Sequence, residues 1–149
     1  MNIESFYKRL GRNTTTNFEL IRYAKDLEIP NFYVCMRDEI KHLPRIKTPL
    51  NVVTNIHTSS ERGVHWSAFH LAKNKQAFWF DSFALPPTQE VLDFIPSEYS
   101  RLRNTFEVQS FGQTNCGQLC LFVLYKLNQG VSFHDVIISL YKKWVTEFP

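Results

Sequence analysis

One cysteine of the sequence lies where a polar loop runs into an apolar stretch, and this position suits a nucleophile. Cys116 follows Thr114 and Asn115, either of which can cap a helix, and an almost wholly apolar stretch then continues to Tyr125. The first turn of a helix has unpaired N–H groups and the positive end of the helix dipole, so a thiol there ionises more readily. Gly117 has no side chain and is expected to leave room for a substrate beside the sulfur. The sequence therefore predicts Cys116 as a candidate nucleophile.

An isolated cysteine on an apolar helix is more often a buried structural residue than a nucleophile. Cys120 lies one turn deeper on the same predicted helix, and we interpret it as structural. We interpret Cys35 in the same way, because no charged residue is adjacent to it in the sequence. For Cys116, the chemical interpretation depends on whether the chain supplies a base and a group that orients it.

Cysteine nucleophiles usually need a histidine to accept the proton and a third group to orient that histidine. The chain has five histidines, and His65 is the best placed, near the start of an apolar strand and beside a loop that contains Gly63. A side chain at that place can reach the edge of a sheet. His70, five residues further along the same strand, should point to the opposite face. A lone strand histidine can also be structural, so the interpretation of His65 depends on its partners.

Asp81 is the candidate orienting group, because the turn between two strands can place it beside His65. The predicted strands cover residues 64–72 and 77–83, and residues 73–75 form the turn between them. A three-residue turn in an antiparallel pair puts His65 and Asp81 on the same face, diagonally related. A two-residue turn would separate them, and Asp81 would then be an ordinary strand-end residue. The sequence permits the pairing without proving it.

A glutamine amide is the fourth candidate element. Gln109 could donate a hydrogen bond to the negative oxygen of a tetrahedral intermediate, together with the backbone N–H of Cys116. Gln113 and Gln118 compete for this role, and spacing alone does not rank the three glutamines.

The composition indicates a globular chain with one core. Its 149 residues predict a single domain over residues 1–149, and 44% of them are hydrophobic. No apolar run approaches the roughly 20 residues that span a bilayer, so no membrane association is predicted. The first residues lack the apolar core of a signal peptide. The three cysteines, an odd number, then indicate free thiols in a reducing compartment.

Charge and cysteine spacing are less informative. The net charge of +3 is weak, and the basic pairs Lys8-Arg9 and Lys142-Lys143 fit a solvated surface as well as they fit a nucleic-acid contact. Cys116 and Cys120 have no second cysteine pair nearby, so we predict neither a metal site nor a cofactor.

The periodicity along the chain predicts an α+β fold, with a central mixed or antiparallel sheet flanked by helices. The apolar hairpin strands are typical of central strands that are covered on both sides. Residues 1–14 and 31–49 carry few clear signals. We predict helices from the capping box at Thr16 to before Pro30, from Thr88 through Ile95, from Cys116 to before Gly130 and from Ser132 through Trp144, and strands over 50–56, 64–72, 77–83 and 105–109.

Three stretches of the sequence, taken in order, resemble one protease family. They are Gly63-Val64-His65-Trp66-x-Ala68-Phe69, Phe80-Asp81-x-Phe83 and Val108-Gln109-x6-Cys116-Gly117-x-x-Cys120. Together they resemble the adenovirus maturation protease (adenain)-like cysteine proteases, which virophages and Polinton-type elements also encode. A more distant resemblance is to the SUMO-deconjugating proteases. The chain order of histidine, acid, glutamine and cysteine differs from that of papain-like enzymes.

The resemblance implies a role for each matching residue. Cys116 would be the nucleophile, His65 the general base and acid, and Asp81 the group that orients the imidazolium. Gln109 would help to form the oxyanion hole. Trp66 would wall a narrow substrate channel, although packing in the core explains its ring equally well.

The resemblance further implies a cysteine endopeptidase that cleaves viral capsid or core precursors after small residues, above all Gly. Such an enzyme would be located in the virion and in the interior of the host cell, in the cytoplasm or the nucleus. Adenain-like enzymes use DNA and a disulfide-linked peptide as activators, but residues 86–109 hold no cysteine for a covalent peptide. Asp81 is closer to the SUMO-protease pattern, because the adenovirus enzymes commonly have Glu there. The alternatives are a deconjugase of SUMO or another ubiquitin-like protein, and a non-catalytic virion protein that binds peptides or DNA.

Overall fold

The computed structural model describes residues 1–61, 63, 65–109 and 113–147, which form a five-stranded sheet with helices on both faces. The strands are β1 (Phe32–Met36), β2 (Leu50–Asn55), β3 (Trp66–Leu71), β4 (Gln76–Phe80) and β5 (Ser100–Arg103). The helices are α1 (Ile3–Leu10), α2 (Asn17–Asp26), α3 (Gln89–Phe94), α4 (Cys116–Asn128) and α5 (Phe133–Glu147), with a 3-10 helix at Arg37–His42.

The sheet is mixed, and its strands follow one another in chain order from β1 to β5. The outer pairs, β1 with β2 and β4 with β5, are parallel. The inner pairs, β2 with β3 and β3 with β4, are antiparallel. Every residue of β2 is buried, as expected for a strand that is covered on both faces. The predicted α+β class with a mixed sheet is thereby confirmed.

Helix α4 is the central helix of one face of the sheet. It packs on β2 and β3 and is flanked by α1, α2 and α5. Nine of its residues are buried, from Cys116 to Leu124 without interruption. Burying one large apolar side chain stabilises a fold by roughly 1.5–3 kcal/mol, so this packing holds the N-terminus of α4 firmly against the sheet. The other face is covered by the 3-10 helix and α3, around Ile40, Phe69 and Val91.

The hairpin of β3 and β4 has the register that the three-residue turn predicted. Ala68 lies opposite Phe80, and His70 lies opposite Phe78. Continued beyond the strand ends, this register puts His65 and Asp81 on the same side, two positions apart. Both strands are shorter than predicted, so these two residues lie just outside them, where side chains are less constrained by the sheet.

Two elements lie in stretches where the sequence signals were weak. Asn2 caps α1 through a hydrogen bond of 2.9 Å from the N–H of Ser5, and Gly11 ends the helix at a φ of 79°. The α1 residues that enter the core are Ile3, Phe6 and Leu10. Strand β1 is paired in parallel with β2, a partner that begins 14 residues after β1 ends, which local periodicity does not reveal.

The prediction of a strand over residues 105–109 was wrong. The fifth strand is Ser100–Arg103, and residues 105–109 run beside the turn after β4, with Val108 N–H donating to the Ser82 carbonyl at 2.9 Å. All four residues of β5 are exposed, so the strand has no apolar alternation to reveal it. It forms because its backbone pairs with that of β4.

The remaining predicted helices are present. Thr16 and Glu19 form the capping box that opens α2, and Ser132 accepts a hydrogen bond from the Asp135 N–H at the start of α5. Helix α3 begins after Thr88, and Gly130 follows α4 with a φ of 88°. Within the described ranges, no helix combines the length and the apolar character that crossing a membrane requires.

Candidate active site

Cys116 is the first residue of α4, and its side chain is 9% exposed. Asn115 occupies the N-cap position, but its side-chain amide donates to Tyr7 Oη at 2.6 Å and makes no capping bond. Thr114 does not cap the helix either, because its hydroxyl donates to the Arg12 carbonyl at 3.1 Å. The expectation that one of these two side chains caps the helix was therefore wrong. Thr114 and Asn115 thus leave the first turn of α4 without a side-chain cap.

The structure places His65 and Asp81 in direct contact. His65 Nε2 lies 2.9 Å from Asp81 Oδ2. The side chains are 6% and 0% exposed, so this pair is shielded from water. Nε2 is engaged by the carboxylate, and Cys116 lines the same cleft close enough to the imidazole to raise its pKa. Phe83 stacks on the ring of His65 at a centroid distance of 4.7 Å and limits its rotation.

Asp81 is held by four hydrogen bonds. Its Oδ2 accepts from His65 and from Ser67 Oγ, the latter at 2.5 Å. Its Oδ1 accepts from the backbone N–H groups of Phe83 at 2.8 Å and of Leu85 at 3.3 Å. Burial raises the pKa of Asp81. The charge of His65 and the hydrogen bonds from His65, Ser67 and Phe83 lower it by a larger amount, so the pKa lies below its usual value. The group is therefore a carboxylate at neutral pH.

His65 is the group whose protonation is most strongly set by this arrangement. Burial lowers the pKa of His65, but the hydrogen bond to Asp81, the negative charge of Asp81 and the nearby Cys116 sulfur raise it more, to about 9. The imidazole is therefore protonated at neutral pH. A protonated histidine between a carboxylate and a sulfur is the arrangement that stabilises a nucleophilic thiolate.

Gln109 lies beside Cys116 with its amide fixed in orientation. Its Oε1 accepts from Ser82 Oγ, and its Nε2 donates to the Gln113 carbonyl at 2.8 Å. The amide nitrogen has a second hydrogen, and no described residue provides an acceptor for it. Gln118 is turned away from the cleft, since its amide donates to the Asn13 carbonyl at 2.8 Å. The structure thus leaves Gln109 and Gln113 at the cleft and removes Gln118.

A cleft of about 630 Å³ joins these residues. Cys116, His65 and Gln109 line it, together with Trp66 and Thr15. Trp66 is half-buried and packs against the core beneath α4, and it also donates two hydrogen bonds at the cleft. Its backbone N–H reaches the Cys116 sulfur at 3.5 Å, and its indole N–H reaches the Thr15 carbonyl at 3.1 Å. Trp66 therefore contributes both to the core and to the wall of the cleft.

The expectation that Gly117 leaves room for a substrate was wrong. A Cβ at this position would lie less than 3.0 Å from the Thr15 hydroxyl and 3.1 Å from Leu20 Cδ2. The space above Gly117 is filled by Thr15, which the chain supplies from a segment about 100 residues earlier. Glycine is required here because α4 and the segment before α2 approach each other closely.

The other cysteines and His70 are buried as structural groups. Burial raises the pKa of Cys35 to about 12 and that of Cys120 well above its usual value, so both stay protonated. Cys120 donates to the Trp66 carbonyl at 3.4 Å. His70 lies on the other side of β3 from His65, as predicted, and its Nδ1 lies 2.7 Å from Asn51 Oδ1. Among the described residues, no three His, Cys, Asp or Glu side chains are grouped in a way that could hold a metal ion.

Sequence reasoning missed the residues that support the candidate site. Ser67 bonds Asp81, Ser82 bonds Gln109, and Asn104 bridges both backbone groups of Asp81, accepting at 3.0 Å and donating at 2.6 Å. Ser67 could have been found, since it lies two residues after His65 on the same face. The position of Asn104 depends on β5, which the sequence did not locate.

Comparison with known proteins gives a match in structure. No protein-family model matches the chain, and no curated protein matches it in sequence. Two crystal structures of the ASFV pS273R protease match, one of them from selenomethionine-labelled protein. Their TM-scores are 0.60 and 0.61, at 19% and 18% sequence identity. The chain is similar in fold to this protease.

Each superposition covers 89% of this chain and 66% of the protease chain. At this identity the likeness establishes the fold. The specific resemblance to adenain and to the virophage enzymes stays a prediction. The more distant resemblance, to the SUMO-deconjugating proteases, also stays a prediction.

Proposed function

We propose that this protein is a cysteine endopeptidase in which Cys116 is the nucleophile. One observation carries the proposal: a buried histidine, oriented by a buried carboxylate, lines the same cleft as a cysteine at a helix N-terminus, and this cysteine is close enough to raise the pKa of the histidine. The match in fold to the ASFV pS273R protease supports the same conclusion. A structural cysteine would require neither the oriented imidazole nor the cleft.

The geometry supports the following reaction. The Cys116 sulfur attacks the carbonyl carbon of the scissile peptide bond, and the carbonyl π electrons move onto the oxygen. The backbone N–H of Cys116 and the free hydrogen of Gln109 Nε2 would stabilise this oxyanion. When the intermediate collapses, the C–N bond breaks, and His65 donates its proton to the leaving amine. A thioester remains, and water activated by His65 hydrolyses it. Asp81 holds the imidazole in place throughout.

The finer substrate class belongs to the same proposal. We infer cleavage after small residues, Gly above all, because the family resemblance implies a narrow channel and because Trp66 and Thr15, which are hydrogen-bonded to each other, line the cleft with Cys116. Capsid or core precursor proteins as substrates, activation by DNA or by a peptide, and location in the virion and the host-cell interior remain predictions.

Peptide turnover and thiol labelling test the proposal together. Purified protein is incubated with fluorogenic peptides that end in Gly-Gly and, as candidate substrates, with viral capsid precursor proteins, and products are read by mass spectrometry. Cys116→Ala should abolish cleavage, whereas Cys120→Ala, which changes a fully buried thiol that does not line the cleft, should keep it. Iodoacetamide should label Cys116 first and abolish activity with one adduct per chain. Full activity of Cys116→Ala, or faster labelling of Cys35, would remove the central claim.

A deconjugase is the second candidate, because Asp81 is closer to the SUMO-protease pattern than to that of the adenovirus enzymes. It is distinguished by an isopeptide-linked conjugate of SUMO and by a linear fusion that contains a Gly-Gly site. A deconjugase releases SUMO from both and cleaves short Gly-Gly peptides poorly. An endopeptidase cleaves the short peptides efficiently and leaves the isopeptide conjugate intact.

A further inference from the structure

The segment just before α2 forms one wall of the cleft, and hydrogen bonds to two of its backbone carbonyls hold it in place. Gln118 donates to the carbonyl of Asn13 at 2.8 Å, and the Trp66 indole donates to that of Thr15 at 3.1 Å. Thr16 then opens the α2 capping box and fixes the other end of the segment. The wall is thus tied to α4, to the residue after His65 and to α2.

Thr15 is the residue of this wall that packs against Gly117, the neighbour of the nucleophile. Its side chain occupies the space directly above Gly117, the neighbour of Cys116, and it lines the same cleft. Its exposed fraction is only 5%, so it is wedged between α4 and the wall. Leu20 lies beneath, 3.1 Å from the place that a Gly117 side chain would take. Removing the Thr15 side chain would open a small space beside the sulfur.

The hydroxyl of Thr15 is buried and has no hydrogen-bond partner among the described residues. Buried hydroxyls are normally hydrogen-bonded. Because the Thr15 hydroxyl is an exception among the described residues, hydrogen bonding within the fold does not explain why this residue is a threonine. The branched shape of the side chain does explain it, because that shape fills the gap over Gly117.

We propose that Thr15 is the specificity-determining residue that limits the size of the substrate residue before the scissile bond. The inference rests on the proposed function, because it concerns the subsite beside Cys116. The carbonyl of that substrate residue must lie between the sulfur and the oxyanion donors, so its side chain begins within a few ångströms of Thr15. Trp66 acts on specificity through Thr15, by holding its carbonyl in place.

Peptidyl chloromethyl ketones test the inference without requiring turnover. Three reagents carry Gly, Ala or Val before the ketone. In each, the Cys116 sulfur displaces chloride from the methylene carbon and forms a stable thioether that intact mass measures. The second-order rate constants give a Gly-to-Val selectivity ratio for the wild type and for Thr15→Ala, Thr15→Ser and Thr15→Val. Peptides with the same three residues are assayed for turnover in parallel.

The expected result is a selectivity ratio that follows the shape of residue 15. One methylene in a fitted pocket changes rates by roughly 10–200-fold, so Thr15→Ala should lower the ratio at least about 10-fold. Thr15→Ser, which loses only the methyl group, should lower it less, and it replaces Thr15→Ala if that variant fails to fold. Thr15→Val keeps the branched shape and should keep the wild-type ratio.

Two results would overturn the inference. An unchanged ratio in Thr15→Ser and Thr15→Ala would mean that the residue does not limit substrate size. An equal drop in Thr15→Val would mean that the hydroxyl, and not the shape, sets the preference. A different result separates the two proposals. If the Gly-to-Val ratios of the chloromethyl ketones change across the variants as expected but no peptide is cleaved, the proposed endopeptidase function is refuted and the size limit set by Thr15 stands.

Discussion

Because Gly117 lies so close to Thr15, we expect a side chain at position 117 to destabilise the fold unless residue 15 is made smaller. Replacing Gly117 with Ala adds one methyl group in the first turn of α4. In the wild type this group would overlap the Thr15 hydroxyl and press on Leu20 Cδ2 at 3.1 Å. If Thr15 is also replaced by Ala, the overlapping hydroxyl is gone. The nearest remaining atom of residue 15 is then its Cβ, at an ordinary contact distance of 3.4 Å.

Two opposing effects set the magnitude. Ala stabilises a helix relative to Gly by roughly 0.5–1 kcal/mol, because it loses less conformational entropy on folding. An extra methyl group in a packed site costs about 1–3 kcal/mol. The cost of the overlap with Thr15 should therefore exceed the gain in helix propensity, and Gly117→Ala should destabilise the wild-type protein by roughly 1–2 kcal/mol. In the Thr15→Ala background the same change should be neutral or stabilising by up to about 1 kcal/mol.

Urea unfolding of the wild type, both single variants and the double variant gives the coupling between the two positions. We expect a coupling free energy of about 1–3 kcal/mol, the range for residues in contact. Gly130→Ala is the matched control: its φ of 88° makes Ala costly, but no atom lies within 4 Å of the added methyl group. Its cost should be equal in both backgrounds. An equal cost of Gly117→Ala in both backgrounds would refute the packing described here.

Three further predictions concern the chemistry and its pH dependence. Gln109→Ala should lower kcat and kcat/KM by about 10²–10³-fold with little change in KM, and normal turnover would exclude it as the oxyanion donor. Asp81→Asn removes a charge that raises the pKa of His65 to about 9, so the alkaline limb of the kcat/KM profile should move to lower pH, and an unmoved limb would contradict the pairing. Burial lowers the pKa of His70 to about 4 in the folded protein, whereas its ordinary value is 6.5. As the pH falls from 6.5 to 4, the unfolded chain therefore binds a proton at His70 that the folded protein does not bind, and the folded state loses stability. Urea unfolding should show this loss, of roughly 3 kcal/mol, in the wild type, whereas His70→Gln should lack it and the two proteins should differ little above pH 7.

Short-range signals in the sequence were enough to predict much of the fold and the candidate chemistry. A helix begins at Cys116 because a polar loop meets an apolar stretch, and both are neighbours in the chain. The length of the turn after β3 determines which residues of β3 and β4 share a face. The sequence allowed two turn lengths, and the contact of His65 with Asp81 was predicted for one of them. Caps at Thr16 and Ser132 located two helices for the same local reason.

Contacts between distant parts of the chain could not be predicted in this way. Strand β5 is exposed at every residue and exists only because the backbone of β4 offers hydrogen bonds to it, so its amino acids carry no periodic signal. Asn104 follows β5 and therefore reaches Asp81 only in the folded sheet. The sequence suggested that Gly117 makes room for a substrate, because a glycine beside a nucleophile has that local meaning. The tertiary structure fills this room with Thr15, since the N-terminal segment is tied to α4 by hydrogen bonds across about 100 residues of chain.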